Sequence, residues 1–548
     1  MSAFGSAGED YKDLVRATEF VFFRSSAEKV LENDPQLRSH SGASHDHLRK
    51  QFQRLDREFL SLRRQLLASK LCARPAPEGN SIGRVRDLTE LALVRQIAGQ
   101  TRPRISLREL FVRAGKAVQA LKPCWMMSPM SVAQFLEPGK LKFDLLLMDE
   151  ASQIRPEEAL GAIARAGQVV IVGDQMQLPP TPFFQKLSTD SADEEDEMED
   201  IKQESVLEAA ASRFFPPRRL KWHYRSEHGS LISFSNKEFY NNDLTVFPSP
   251  FHEYPEYGVF LKQVDGVYSA GTNPKEADAV VQAVAEFVAA FPNQSLGVVA
   301  VNSKQAELIR EQLDGLFASE PAAEAYRAKW EPELETLFVK NLENVQGDER
   351  DVIFISTVYG KDEKGNFYQR FGPINSLYGH RRLNVLFTRA KKKVVVFTSM
   401  SPEQIQEENR HWGVRALKAY LQYAKLGYSS LQDADPSGDA CDSEFEEWVL
   451  QTLRGNGFDA VPQFGFAGYR IDLAVKHPRK PGTFLCGLEC DGATYHSARS
   501  VRERDRLRQE VLEKLGWKIY RIWSTDWFRN PALQTSNLLG YLKKLAAD

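Results

Sequence analysis

The chain has 548 residues, 42% of them hydrophobic, and 71 basic against 74 acidic side chains give a formal charge of −3 at pH 7. That length predicts three or four domains with several cores. The near-neutral balance hides local asymmetry and does not argue against nucleic acid, which a large protein can bind in a local groove rather than over its whole surface. Five scattered cysteines (Cys72, Cys124, Cys441, Cys486, Cys490) exclude a disulfide scaffold. Together with the lack of a signal peptide or an apolar run of spanning length, they predict a reduced, cytoplasmic protein.

Residues 1–120 read as largely helical. Leu48, Phe52, Leu55, Phe59, Leu62 and Leu66 recur at spacings of four and three, which predicts a narrow apolar seam for a helical hairpin. The polar side of the same helix carries Arg49, Lys50, Arg54, Arg57, Arg63 and Arg64. This is either a solvated basic face or a face that touches a phosphate backbone. His40, His45 and His47 lie in a Ser/Gly-rich stretch and do not read as metal ligands.

The run LLLMDEASQ (residues 145–153) is an apolar segment long enough for a buried strand that ends abruptly in Asp149 and Glu150. Open α/β sheets bind ligands at the carboxyl ends of their strands. Two carboxylates at that point suit a nucleotide-bound metal and an attacking water. QVVIVGDQMQLPP (168–180) reads as a second buried strand closed by a Gly-Asp turn and a Pro-Pro stop. An acidic run follows at residues 190–200 and reads as a solvated loop. Further along come WHYRS (222–226), NVQGDERDVIFIS (344–356) and RLNVLFTRAK (382–391). Residues 295–301, 352–357 and 393–399 read as buried parallel strands.

Taken in order, these segments resemble motifs II to VI of superfamily one helicases, in the branch with DEA[SG]Q and GDxxQLPP, over roughly residues 120 to 400. The resemblance implies that Asp149 holds Mg²⁺, Glu150 activates water, and Gln177 senses the γ-phosphate. It implies that Arg225 and Arg389 reach that phosphate from the second lobe. Gln346, Gly347 and Glu349 would link the nucleotide to the strand-binding surface. LKPCWMMSPMSVA (121–133) resembles the strand-binding motif before motif II, with Ser128 near the sugar-phosphate chain. A P-loop, G-x-x-x-x-G-K-[ST], occurs nowhere in the sequence. Gly5 to Asp10 lacks both the Lys and a preceding strand. The expectation is a chain that begins after its P-loop, binds ATP weakly by itself, and needs a P-loop-bearing polypeptide or upstream part.

Beyond a boundary at residues 433–439 the pattern changes. Ser443 is a plausible N-cap for a helix holding Glu446, and Asp472 lies inside an apolar strand at 469–475. Glu489 and Asp491 are two apart on another strand and share a face. Tyr495, His496 and a charged helix with Arg504, Asp505 and Arg508 follow, and a strand closes the run at 516–523. Three carboxylates converging from neighbouring strands would repel one another without a divalent metal. Cys486 and Cys490, four apart with no second pair, read as buried small hydrophobes.

This order resembles the restriction-endonuclease-like PD-(D/E)xK fold, in the branch related to very-short-patch repair endonucleases, over roughly residues 440 to 530. The resemblance implies Glu446 as the helix carboxylate, Asp472 as the metal-bridging one and Glu489 as the second ligand. The family's Lys position is Asp491 here, and His496 is the substitute base or metal-water orienter. The implied metal is Mg²⁺ or Mn²⁺.

The expected architecture is therefore α/β. A helical insertion or remnant of the first lobe occupies 1–120, RecA-like lobe 1 spans 121–212 and lobe 2 spans 213–430. A linker at 431–440 leads to a restriction-endonuclease-like domain at 441–548. The expected function is a helicase–nuclease acting on DNA, which by the resemblance belongs to bacterial restriction, repair or anti-phage defence. Two alternatives are a non-catalytic DNA-binding or scaffold subunit and an RNA-directed unwinding factor. The nuclease carboxylates argue against the first, and the endonuclease-like appendage against the second.

Overall fold

The computed structural model describes residues 11–34, 42–180, 204–408, 410–431, 440–466, 468–491 and 500–547. The acidic run at 190–200, His40 and His496 lie outside them. No helix among the described residues is long and apolar enough to cross a membrane.

The chain is mixed α/β with three main sheets. In the first, β1 (Phe143–Met148) and β2 (Ala166–Ile171) pair in parallel, with Leu146 opposite Val169. The helix Pro156–Ile163 connects them and packs Ala159 and Ala162 against Met148, Ala151 and Val206. The apolar runs do form strands, but the burial expected of them is not met. Leu145 is 52% exposed, Leu147 62% and Val170 43%. A sheet of two strands has too little area for helices to cover both faces.

Two short strands, β3 (Trp222–His223) and β4 (Thr245–Val246), pair in parallel. The second sheet runs β5 (Gly258–Gln263), β9 (Ala390–Thr398), β8 (Arg350–Ser356), β6 (Leu296–Ala300) and β7 (Phe338–Asn341), all parallel. Every residue of β6 is buried, as both-face coverage requires. The helices Pro274–Ala290, Ser303–Ser319 and Trp412–Leu426 supply Val280, Ile309 and Leu417 to the largest core.

The third sheet runs β10 (Ala460–Phe466), β11 (Tyr469–Lys476), β12 (Phe484–Asp491) and β13 (Ile519–Trp523). The first two pairings are antiparallel and the last is parallel. Helices Glu444–Gly455 and Pro531–Ala547 pack on it through Val449, Leu453, Leu538 and Leu542. A further core joins this sheet to the β3–β4 region, with Phe247 buried among Phe464, Ile471 and Trp517. Trp517 Nε1 donates to the Pro248 carbonyl at 2.8 Å.

The helix Gly42–Cys72 departs from its expected role. Among the described residues its apolar seam finds no hairpin partner: Leu48, Leu55, Phe59, Leu62 and Leu66 are exposed. The helix is held instead by polar contacts to the third sheet's helices. Gly42 N–H donates to both oxygens of Asp526 at 3.0 Å. His45 stacks on Trp523 at 4.8 Å, and Asp56 is buried against Arg502 and Arg506. Gly42 is required there, because a Cβ would fall 2.3 Å from the Trp523 ring. Of the basic face, Arg49 bonds Gln509 and Arg57 pairs with Glu510 at 2.9 Å.

Candidate functional site

Two groups of the sequence-predicted residues come together, one between the first two sheets and one on the third.

In the first, β1 ends and Asp149 accepts the Glu150 N–H at 2.9 Å. Glu150 itself sits at φ +51°, a left-handed turn that a non-glycine residue enters only when its surroundings hold it. Both carboxylates are exposed at the carboxyl end of the strand. Gln346, on the loop leading into β8, reaches across from the second sheet. Its Nε2 donates to Glu150 Oε2 at 3.2 Å and lies 3.4 Å from Gln177 Oε1. Gly347 makes that loop possible with φ +88°, a value glycine adopts freely.

Gln177 also donates to Asp174 at 3.2 Å, and Tyr240 O–H donates to the same carboxylate at 2.6 Å. Asn384 bonds Tyr240 Oη and the Met176 carbonyl, both at 2.8 Å. Asp174, Tyr240 and Asn384 were not singled out by sequence. A Tyr in an ordinary amphipathic helix carries no signal, and only the fold brings it to the turn after β2.

Arg225 pairs with Glu349 at 2.9 Å, and Lys391 joins Glu349 at 3.3 Å. Arg389 is 4% exposed and donates through Nε to the Val385 carbonyl at 2.7 Å and through Nη2 to Thr388 at 3.1 Å. Burial, then repulsion from Arg225, pushes its guanidinium down to about 10, with Glu150 opposing. Arg389 thus feels the charges of both Arg225 and Glu150. Ser128 is spent locally: its Oγ accepts the Ser131 N–H at 3.1 Å and caps the helix Pro129–Phe135.

On the third sheet, Ser443 caps the helix as expected, accepting the Glu446 N–H at 3.2 Å and donating to Glu446 Oε1 at 2.9 Å. Glu446 is buried, and its other oxygen accepts from Asp442 N–H at 3.0 Å and Gln463 Nε2 at 2.8 Å. Asp472 lies one position beyond the Leu473↔Leu488 pair, which brings it beside Glu489. It accepts the Cys490 N–H at 2.6 Å. Glu489 accepts the Tyr469 O–H at 2.9 Å, and Asp491 pairs with Arg521 at 2.7 Å. Cys486 and Cys490 are buried, and Cys490 lines this same strand end.

Burial and then Glu489 push the Asp472 carboxyl up to about 8, against the Cys490 hydrogen bond. Burial raises Glu489 and Asp491 too, with Arg521 opposing in each case. The carboxylates are thus neighbours, as the strand spacing predicts, but not a preformed cage. Among the described residues no three His, Cys, Asp or Glu side chains are arranged to hold a metal ion. The physical reason is that each carboxylate is engaged by a protein partner. The donor chemistry still suits a divalent cation, since buried oxygens that share a repulsion are relieved by positive charge. Tyr469, Gln463 and Arg521 were missed in the sequence. Arg521 faces Glu489 in the parallel β12–β13 register, a pairing that exists only once the strands meet.

Family models described as AAA domains match residues 130–184 (AAA_11) and 202–401 (AAA_12), and a model described as REase_MTES_1575 matches 445–542. The "Uncharacterized ATP-dependent helicase MG140 homolog" of Mycoplasma pneumoniae is 31% identical over 75% of this chain and 37% of its own length. The "Uncharacterized ATP-dependent helicase MG140" of Mycoplasma genitalium is 29% identical over 77% and 38%. "Probable helicase MAGATAMA 3" of Arabidopsis thaliana is 26% identical over 47% and 30%. The chain spans little more than a third of the length of the first two relatives. It carries the AAA-type domains of superfamily one helicases, followed at its C-terminus by a REase-like domain.

Proposed function

We propose that this chain is the motor-and-nuclease part of a helicase–nuclease, in which ATP-driven movement along a nucleic-acid strand delivers DNA to a metal-dependent phosphodiesterase. The observation that carries the motor reading is the Gln346 bridge to Glu150 and Gln177, which ties the second sheet to the end of the first. Asp149 is the ligand for the nucleotide's Mg²⁺ and Glu150 the group that orients water. Arg225 and Arg389 are the cations that neutralise charge developing on the γ-phosphate. Gln177, Gln346, Gly347 and Glu349 form the link between nucleotide and strand. The phosphate cradle comes from a P-loop-bearing part of a larger protein or a separate polypeptide, because the sequence holds no such motif.

In the third sheet, Asp472, Glu489 and Asp491 are the residues to hold a divalent ion, Mg²⁺ or Mn²⁺. Such an ion supplies Lewis acidity and a more acidic water when bound. Tyr469 fixes Glu489 in place, and Glu446 is the helix carboxylate of the site. His496 remains the proposed base. A role in bacterial restriction, repair or defence, in the cytoplasm, follows from the same reading. One observation favours a second reading, a C-terminal domain that only binds DNA: every carboxylate already has a protein partner.

The motor reading is tested by ATP hydrolysis with the P-loop-bearing part added. Turnover is expected only in the mixture, and Arg389→Ala lowers it about 10³-fold or more, as for an arginine that meets the γ-phosphate. Full turnover by the chain alone, or by the Arg389→Ala mixture, contradicts it.

A further inference from the structure

We propose that Arg49, on the N-terminal helix Gly42–Cys72, is a phosphate-binding residue of the C-terminal carboxylate site. The proposal rests on the nuclease reading above and deepens it, by assigning one substrate contact to a segment far outside the REase-like domain.

The contact face is regular. Gly42, His45, Arg49, Gln53 and Asp56 follow one another at spacings of three and four, one side of a helix. Each meets the third sheet's surroundings: Asp526, Trp523, Gln509, the Asp505 carbonyl, and Arg502 with Arg506. Trp523 pairs with Asp491 in the β12–β13 register. His45 stacks on Trp523, and Arg49 is one turn further along. The helix therefore runs past the strand end where Asp491 sits.

Arg49 is buried there, with 9% of its side chain exposed. Nη1 donates to Gln509 and Nη2 to Asp46 at 3.2 Å. Nε–H is buried with no acceptor among the described residues. An unsatisfied donor on a charged group is expensive to bury. Asp491, the obvious acceptor nearby, is already claimed by Arg521. A guanidinium with a free N–H beside buried acids matches a phosphate oxygen, which it binds with both charge and direction.

The test uses the full chain as wild type, Arg49→Gln, Arg49→Lys and Arg57→Gln. Affinity for a short duplex DNA is measured against salt in Ca²⁺, and single-turnover cleavage in Mg²⁺ or Mn²⁺. Arg49→Gln is expected to reduce the slope of log affinity against log salt by about one. It is expected to slow cleavage about 10²-fold. Arg49→Lys restores the slope, and Arg57→Gln, on the solvent rim, matches wild type in rate. Unchanged slope and rate in Arg49→Gln overturn the proposal. So does an equal loss in Arg57→Gln, which would make the effect one of helix docking. If wild type cuts nothing in any metal while Arg49→Gln still lowers the slope, the nuclease reading fails and the phosphate contact stands.

Discussion

Glu276 shows how far a single side chain can be committed to holding a fold. It is fully buried, and accepts from Ser356 Oγ at 2.7 Å, Val358 N–H at 2.7 Å and Ser399 Oγ at 3.0 Å. Val358 is a β-branched residue at φ +71°, an uncommon backbone state that the hydrogen bond secures. Burial pushes the Glu276 carboxyl up to about 7, against those bonds. Between its unfolded value of about 4.5 and that folded value, the native state holds a proton the unfolded chain has lost. Stability is therefore fullest below pH 4.5 and falls as pH rises towards 7, at roughly 1.4 kcal/mol per unit for this group. Glu276→Gln is expected to flatten that slope and raise the melting midpoint at pH 8. A parallel slope in the variant, read by thermal melts across pH 5 to 8, would contradict it. Nothing in the sequence marked Glu276, an ordinary acid in the first turn of a helix. Asp149, Glu150, Asp472 and Glu489 were legible because each interrupts or ends an apolar strand. Tyr469, Gln463 and Arg521 were not, because their roles exist only once neighbouring strands pair.

At the scale of elements, pattern found the strands but not their surroundings. Residues 145–148 and 168–171 form paired parallel strands as their apolar runs predict, yet both stay half-open, because burial depends on what packs against a sheet. The heptad-like seam of the helix Gly42–Cys72 was equally clear, and yet the seam stays exposed and the helix docks through a polar face about a quarter-turn round from it. Asp56 carries much of that docking: Arg502 donates to it at 2.6 and 3.0 Å, and Arg506 also pairs with it. Its carboxyl is held below the usual range chiefly by the Arg502 bond. Asp56→Ala is expected to release the helix, seen as faster amide exchange over residues 42–72 with the β10–β13 sheet still protected. Unchanged protection of the helix would show that its seat does not depend on this pair.

At the scale of the molecule, the two candidate sites are joined through packed side chains. Arg225 follows β3, whose Trp222 lies edge-on to Phe247 at 5.3 Å. Phe247 meets Tyr469 at 4.9 Å, and Tyr469 O–H reaches Glu489. That AAA-type domains precede a REase-like one was legible because their motifs are short and stand at strand ends, where chemistry must sit. The docking of the third sheet on Phe247 and Trp517 was not, since aromatic residues 270 positions apart carry no pairing signal.

The central claim is that the C-terminal carboxylates cut DNA. The direct measurement is incubation of the chain with single- and double-stranded DNA in Mg²⁺, Mn²⁺ or EDTA, beside Asp472→Ala. The account predicts cutting that needs the metal and disappears in the variant, with the variant still folded. Undiminished cutting by Asp472→Ala, or no cutting by the wild type even with its P-loop-bearing part present, would contradict it.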